Sequence, residues 1–295
     1  MKLPLVSVLM PCYNHEQYIV KAIKSVINCN YENIELIIID DGSSDKSFEI
    51  AKGLLENTKK FFLPPQILKQ DNVGVVRTLN RLIGLSHGEY ITLLASDDML
   101  TPNGIKDRVL YLEHNCDCDA VVGRALLINE KDKLISLDAG KRLYWADTIL
   151  LKSKYIKDEL ILRWSIVGPC LLVRKEIYEK IGLYNENYFI EDRDFYLRIL
   201  YINKLHYIDR PVAKYRIHQF NESRNKTTSR DVKMQCAMID VRHSEKFRGV
   251  LKLFLKSRLI DLLFLRTKFI FFYWFYKIAR YSVTSLYLLI LKISV

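Results

Sequence analysis

Two pairs of aspartates in the sequence could bind a divalent cation. Asp40 and Asp41 follow one short apolar run, and Asp97 and Asp98 follow another, each where a strand would end. Hard divalent cations prefer carboxylate oxygens on a rigid support, and such a cation would neutralise charge on a departing diphosphate. A structural interpretation stays open, because aspartates favour the first turn of a helix and Gly42 after the first pair fits a tight turn.

Two acids and a histidine later in the chain could complete a catalytic site. Glu191 and Asp192 stand at the start of a predicted helix, where a carboxylate could act as general base toward a hydroxyl group. His218 follows a predicted strand and could bind a metal. Taken alone, acids at a helix start are also explained by the helix dipole, and a lone histidine by a structural role.

The elements that must position these residues alternate over the first hundred residues. Strands are predicted at 6–10, 35–39, 67–68 and 90–94, and helices at 16–28, from Ser43 or Ser44 to 57, at 73–86 and from Pro102. Unbroken apolar runs such as ELIII indicate strands buried on both faces. This order predicts an α/β fold with a doubly wound, mostly parallel sheet, whose ligands bind beyond the carboxyl ends of the strands.

The rest of the chain is less regular. Strands are predicted at 120–122, 171–173 and 212–217, helices at 175–181 and 192–202, and a polar loop or linker at 221–231. From residue 250 onward eight basic residues stand against one acid, Asp261, and aromatic residues cluster at 269–276. The longest uncharged stretch there, 281–291, is shorter than the roughly 20 residues that span a bilayer.

Cations beside aromatics predict that this C-terminal tail lies in the interface of an anionic membrane. The alternatives are a packed helical subdomain or a contact between subunits of an oligomer. Without the tail the chain is only mildly basic, although its formal net charge is +11, and this argues against a nucleic-acid partner. Six scattered cysteines indicate free thiols in a reducing cytoplasm, and Pro4 and Pro11 argue against a signal peptide.

Five blocks in a fixed order carry a family resemblance. They read VSVLMPCYNHEQYI, IIIDDGSSDKS, NVGVVRTLNRLIGLSHGEYITLLASDD, GPCLLVRKEIYEKIGLYNENYFIEDRDFYLRI and YRIHQFNES. Together they resemble the family-two glycosyltransferases with the GT-A fold, over residues 5–223. The resemblance implies a GT-A domain at 1–222, which we expect to be followed by a linker or helix at 223–249 and the helical, membrane-associating tail at 250–295.

The resemblance also implies roles for the candidate residues. The nucleotide would be held by Pro11, Tyr13, Asn14, Asp41, Arg77 and Asp97; a divalent metal, Mn²⁺ or Mg²⁺, by Asp97, Asp98 and His218; and the base would be Asp192 with Glu191 as its acidic neighbour. The chain departs from the family pattern at Ala95, where many members have a further aspartate. It is therefore open which aspartate of the second pair is the main metal ligand.

The expected activity is inverting transfer of a sugar from a nucleotide diphosphate sugar, with UDP as the expected nucleotide. The acceptor would be a hydroxyl of a glycan or a lipid-linked molecule, in the synthesis of bacterial surface polysaccharide such as lipopolysaccharide, O-antigen or capsule. We expect the protein in the cytoplasm, on the inner face of the cell membrane. The alternatives are a polyprenyl-phosphate sugar synthase and a non-catalytic, membrane-bound sugar-nucleotide binder.

Overall fold

The computed structural model describes residues 3–56, 58, 61–219, 221, 229–266 and 270–295. Its strands are β1 (Val6–Cys12), β2 (Ile34–Asp40), β3 (Gln66–Lys69), β4 (Tyr90–Leu93), β5 (Met99–Leu100), β6 (Ala120–Asn129), β7 (Leu134–Ser136), β8 (Leu171–Arg174) and β9 (Leu205–Ile217). Its helices are α1 (Ile19–Ile27), α2 (Ser47–Glu56), α3 (Val75–Leu85), α4 (Gly104–His114), α5 (Ala139–Tyr144), α6 (Thr148–Leu151), α7 (Ile156–Leu162), α8 (Ile177–Ile181), α9 (Glu191–Tyr201), α10 (Ser229–His243), α11 (Gly249–Arg266) and α12 (Ile270–Ile293).

These strands form one sheet in the order β3-β2-β1-β4-β8-β6-β9-β5, with β7 paired to β6. Strands β1 to β4 pair in parallel, as do β6 and β9. Strand β8 lies antiparallel between β4 and β6, so β6 and β9 point in the same direction as β1 to β4. The predicted α/β fold with a mostly parallel sheet is therefore confirmed.

The central strands are covered on both faces, as their apolar runs predict. In β2, Leu36 and Ile38 pack into one core cluster with the helices α1, α2 and α4. Ile37 and Ile39 point to the opposite face and pack into a second cluster, which includes α3 and α9. All four of these side chains are fully buried. A strand with two covered faces needs no polar alternation, which explains why ELIII is continuous.

The structure corrects the predicted start of the second helix. Helix α2 begins at Ser47 and not after a cap at Ser43 or Ser44. Asp45 Oδ1 accepts a hydrogen bond from Ser47 N at 3.0 Å, while Ser43 Oγ accepts one from Asn14 N at 2.9 Å. The hydroxyl of Ser43 thus binds the turn after β1 and does not cap α2.

The strands of the second half are longer than predicted. β6 has 10 residues and β9 has 13, and their pairing shifts register around Arg124. The bulge interrupts the regular alternation of side chains. The sequence pattern therefore predicted only the part of β6 that precedes the bulge and the part of β9 that follows it. The two short strands β5 and β7 were not predicted.

The C-terminal residues form three helices. Part of the predicted linker is helix α10, and residues 222–228 of the predicted loop lie outside the described residues, as does Phe269 of the aromatic cluster. Helix α11 places Leu251 and Leu255 in the same core cluster as α9. No described helix is both long and apolar enough to cross a membrane.

Candidate active site

The aspartates that follow β2 and β4, together with His218, lie at one edge of the sheet. Asp40 is the last residue of β2 and pairs in register with Cys12, the last residue of β1. The second aspartate pair follows β4, and His218 follows β9, which runs in the same direction. The carboxyl ends of these strands therefore bring together segments that are far apart in the sequence, as expected for such sheets.

Three side chains at this edge form a candidate metal site. Among the described residues, His15, Asp97 and His218 each offer one ligand atom, and these atoms all lie within 4.8 Å of one another. His218 Nε2 lies 3.0 Å from Asp97 Oδ2, and Asn221 Nδ2 donates to the same oxygen at 3.3 Å. Two imidazoles and one carboxylate are a donor set that suits a divalent transition metal such as Mn²⁺.

His15 is the member of this cluster that no sequence pattern indicated. Its Nδ1 lies 2.7 Å from Ser96 Oγ, which orients the ring. Burial lowers the pKa of His15, so the imidazole stays neutral and can donate its lone pair to a metal. The order of the strands in the sheet explains its place. Because β1 and β4 are neighbours, a polar residue just after β1 lies near the residues just after β4.

The two aspartates after β4 face different surroundings. Burial alone would raise the pKa of Asp97, but the hydrogen bond with His218 and the nearby His15 hold it below its ordinary value. Burial and the adjacent Asp97 raise the pKa of Asp98 well above its ordinary value. Asp98 Oδ1 accepts from Arg216 N at 2.8 Å, and Arg216 Nε donates to Asp97 O at 2.7 Å. Asp98 thus binds the backbone of β9 and lies outside the three-residue cluster.

Asp41, predicted to bind the nucleotide, holds the loop between β3 and α3. Its Oδ1 accepts from Gln70 Nε2 at 2.7 Å and from Val73 N at 3.0 Å, and its Oδ2 accepts from Gly74 N at 3.0 Å. The next residue, Gly42, has φ +79, and a Cβ there would lie 2.8 Å from a backbone nitrogen of this loop. Only glycine fits this turn without strain.

The turn after β1 presents the other predicted nucleotide ligands. Pro11 lies within β1, and Tyr13 is exposed immediately after it. Asn14 has φ 52, and its Oδ1 accepts from Ser44 N at 2.8 Å. This left-handed residue therefore joins the turns after β1 and β2.

Helix α3 binds the segment that leads to the predicted base. Arg77 is exposed, and its Nε lies 3.4 Å from Glu186 Oε2. Asn80 Nδ2 donates to Tyr184 O at 2.9 Å, and Tyr184 N donates to Asn80 Oδ1 at 3.0 Å. These contacts hold the segment at Tyr184, which precedes α9, against the middle of α3.

Glu191 and Asp192 form the first turn of α9 and are half-buried. Burial, together with the charge of Asp192, raises the pKa of Glu191 to about 7. Burial also raises the pKa of Asp192, and the backbone N–H and charge of Arg193 partly offset this effect. A carboxylate with a raised pKa is a stronger base than an ordinary one, which suits proton removal from a hydroxyl.

Known proteins resemble this chain in sequence and in fold. Residues 7–182 match the family described as glycosyl transferase family 2. An uncharacterized glycosyltransferase of Haemophilus influenzae is 27% identical over 275 residues, which cover 84% of each chain. The S. aureus TarS 1–349 structure in complex with UDP-GlcNAc aligns with a TM-score of 0.61 and 17% identity, over 90% of this chain and 73% of that one.

A further structure is the Pyrobaculum calidifontis mannosyltransferase PcManGT in complex with GDP-Man and Mn²⁺. It aligns with a TM-score of 0.59 and 15% identity, over 90% of this chain and 70% of that chain. Fold and sequence together define a glycosyltransferase with the GT-A fold. The chain belongs to glycosyl transferase family 2.

Proposed function

We propose that the protein transfers a sugar from a nucleotide diphosphate sugar, with inversion and with the help of a divalent metal. The observation that carries this proposal is the convergence of His15, Asp97 and His218 at the carboxyl edge of the sheet. These three residues would hold Mn²⁺, with Mg²⁺ less suited to two imidazole ligands. When bound, the metal supplies positive charge that stabilises the departing diphosphate. Asp98 would support the site by fixing β9.

We assign the donor nucleotide to the turns that follow β1 and β2. Tyr13 is exposed and could stack on a base, and Asp41 and Asn14 hold the surrounding loops in place. Arg77 at the start of α3 is exposed and would meet the diphosphate. A UDP-sugar is the donor class we propose, in keeping with the structural neighbour that binds UDP-GlcNAc.

Asp192 is the proposed general base. It would take the proton of the acceptor hydroxyl as that oxygen attacks the anomeric carbon from the face opposite the nucleotide, which inverts configuration in one displacement. The support is its place at the first turn of α9 and its raised pKa. Glu191 beside it has a pKa raised to about 7 by burial and by the charge of Asp192. Replacing Asp192 with Asn should lower turnover by about 10²–10⁴-fold and leave donor binding unchanged.

The acceptor is proposed to be a hydroxyl of a glycan or lipid-linked molecule at the cytoplasmic surface of a membrane, in the synthesis of bacterial surface polysaccharide. Helix α12 supports this part. Two of its polar side chains contact the body: Tyr287 Oη donates to Asp158 Oδ1 at 2.9 Å, and Arg280 Nη1 donates to Asp261 Oδ2 at 2.7 Å. Its outward face carries apolar side chains, namely Trp274, Ile278, Tyr281, Leu286, Leu289 and Ile293. An exposed apolar face of this extent indicates an interaction surface.

A panel of UDP- and GDP-sugars tests the proposal through release of the free nucleotide. Release should need Mn²⁺, stop in excess chelator, and fall sharply in Asp192→Asn. Full release in chelator would contradict the metal assignment. Metal-dependent UDP binding without release from any sugar would favour the non-catalytic binder, and turnover only with a polyprenyl phosphate would favour the synthase.

A further inference from the structure

A series of ion pairs joins the helix that carries the proposed base to the C-terminal helices. From α9 to α12 its members are Arg193, Asp240, Arg258, Asp261 and Arg280. Arg193 Nε donates to Asp240 Oδ1 at 2.7 Å, and Arg258 Nε donates to Asp240 Oδ2 at 3.0 Å. Arg258 also donates to Asp261 Oδ2, and Arg280 donates to the same oxygen at 2.7 Å. We call these five residues the arginine–aspartate series.

The series is shielded from water, most strongly near α9. The side chains of Arg193 and Asp240 are 6% and 3% exposed, and that of Asp261 is 2% exposed. Buried ion pairs add little stability compared with apolar side chains of similar size, but the loss of one partner is strongly destabilising. Such a series therefore contributes more to a defined geometry of the helices than to overall stability.

Arg193 transmits that geometry to the proposed base, which is the preceding residue. Its Nη1 donates to Leu160 O at 3.2 Å and its Nη2 donates to Ile161 O at 3.0 Å, at the end of α7. Its guanidinium also lies 5.2 Å from the ring centroid of Trp164. Every nitrogen of the guanidinium thus has a partner, so Arg193 has a single position as long as its carboxylate partner is in place.

Helix α10 holds the first turn of α9 at two further points. Gln235 Oε1 accepts hydrogen bonds from Phe189 N at 2.9 Å and Ile190 N at 2.8 Å. His243 Nε2 lies 2.7 Å from Asp194 Oδ1. These contacts lie on either side of the proposed base, and the ion pair of Arg193 lies between them.

We propose that Asp240 and Arg258 are positioning residues for the catalytic base, so that helices α10 and α11 form part of the active site's support. The proposal rests on the assignment of Asp192 as the base under the proposed function. The series fixes the first turn of α9, and therefore the direction from which the carboxylate meets the acceptor. The donor site lies on other elements, at the ends of β1, β2 and β4, so a change in the series should alter transfer and leave donor binding intact.

Two variants test the proposal by steady-state kinetics, with UDP-N-acetylglucosamine as the first donor and any more active sugar nucleotide of the panel as the second. Asp240→Asn removes one charge and keeps the shape. Arg258→Lys keeps the charge, but an ammonium group lacks the planar fork that bridges two carboxylates. Each variant should lower kcat roughly tenfold and change the KM for the donor by less than about twofold. Asp240→Glu, which keeps the charge, should recover part of the lost kcat.

The matched control is Glu245→Gln, between α10 and α11, which breaks the ion pairs of Lys252 and Lys256 on α11 outside the series. This control should keep the wild-type kcat and KM. If folded Asp240→Asn and Arg258→Lys match the wild type while Asp192→Asn is inactive, the positioning proposal alone is overturned. If Asp192→Asn is fully active, the base assignment is wrong and the positioning proposal is wrong with it. A rise in KM that matches the fall in kcat, with a lower melting temperature, would also overturn it.

Discussion

At the residue scale, the adjacent aspartates after β4 have separate tasks in the proposed site. Asp97 faces the histidines and has a lowered pKa, so it is a carboxylate ready for a metal. Asp98 faces the backbone of β9 and has a raised pKa, which fits an acid that is buried for structural reasons. Arg216 binds both aspartates: its backbone N–H donates to the carboxylate of Asp98, and its side chain donates to the backbone carbonyl of Asp97. We therefore favour Asp97 as the main metal ligand.

The metal assignment predicts that the two histidines matter equally. His15→Ala and His218→Ala should each weaken Mn²⁺-dependent binding of UDP by at least roughly tenfold, because each removes one of three ligands. Isothermal titration with Mn²⁺ and UDP measures this. His114→Ala is the control, since His114 is an exposed histidine at the end of α4. If a folded His15→Ala protein binds UDP with Mn²⁺ as tightly as the wild type, His15 is not a metal ligand and its role is structural.

The acids of α9 predict a defined pH dependence. Transfer needs the deprotonated form of Asp192, and burial raises its pKa, so kcat should fall as the pH drops through that raised pKa. Glu191→Gln should leave this acidic limb at the same pH, because Glu191 has a pKa of about 7 and is already mostly protonated where Asp192 takes up its proton. The groups near Asp192 on the packed elements are the charged Arg193 of α9 and the neutral Cys236 thiol of α10, whose pKa burial raises to about 11. The profile of kcat against pH for the wild type, Glu191→Gln and the control Asp107→Asn tests this, and a limb that moves to lower pH in Glu191→Gln would contradict it.

At the residue scale, sequence patterns could predict which residue types carry the chemistry, but they could predict few of the contacts between these residues. Asp97 and His218 were expected in one site, and the structure brings them together. His15 and Arg216 were not expected, because their contacts cross between strands that are distant in the sequence. Such contacts depend on which strands are neighbours in the sheet. A single sequence indicates where the strands are along the chain, but not which of them lie side by side.

At the element scale, buried strands were predictable where helices cover both faces and less so elsewhere. The apolar run of β2 identified it at once, since each of its residues faces a core. The bulge in β6 near Arg124 and the exposed middle of β9 broke the expected alternation. Short strands such as β5 depend on a partner strand, with which Met99 and Leu100 pair, and carry too few residues for a pattern.

The outward face of α12 predicts binding to a lipid bilayer. Lys252, Lys256, Arg258, Arg280 and Lys292 each pair with a carboxylate of this chain, whereas the exposed Lys277 lies over the ring of Tyr273. Because most of the described tail cations are paired, we expect apolar burial to contribute more than charge. Vesicles of neutral and of anionic lipid should both bind the protein, with only a modest loss as salt rises. A tail that bound through unpaired cations would instead prefer anionic vesicles and would lose most of its binding as salt rises, because salt screens exposed charges.

The change that tests this face is the double substitution Ile278→Glu and Leu286→Glu. Each places a charge on the exposed side of α12 and should lower vesicle binding at least roughly tenfold. Leu134→Glu, on exposed strand β7, is the matched control and should bind normally. If the double variant binds vesicles as well as the control, the face has another partner. A second copy of the chain would then be revealed by a smaller particle size of the double variant in solution.

At the scale of the whole molecule, the tail combines two kinds of surface. Helix α11 belongs to the folded domain, since Leu251 and Leu255 are buried in its main core and Arg258 completes the arginine–aspartate series. Helix α12 packs through Arg280, Tyr287 and Leu288, and many of its other apolar side chains are exposed. The sequence could indicate that the tail differs from the body, because its charges and aromatics are dense. It could not indicate which half packs, since that depends on partners such as Asp240 in another helix.

Two truncations should therefore behave differently. Removing residues 270–295 takes away the apolar face of α12 and its ion pairs with Asp261 and Asp147. Asp261 keeps Arg258, and the core residues of α11 stay in place, so the protein should remain folded and bind UDP with Mn²⁺ while it loses vesicle binding. Removing everything from Lys246 onward also takes Leu255 out of the core and leaves Asp240 with one partner.

This longer truncation should lower the melting temperature steeply or give insoluble protein, because it opens the core and removes a partner from a buried carboxylate. Thermal denaturation, UDP calorimetry and vesicle co-sedimentation on the full chain and both truncations separate these outcomes. If the longer truncation keeps the melting temperature and UDP affinity of the full chain, α11 is a detachable appendage and not part of the domain. If the shorter truncation still binds vesicles, a surface other than α12 contacts the lipid.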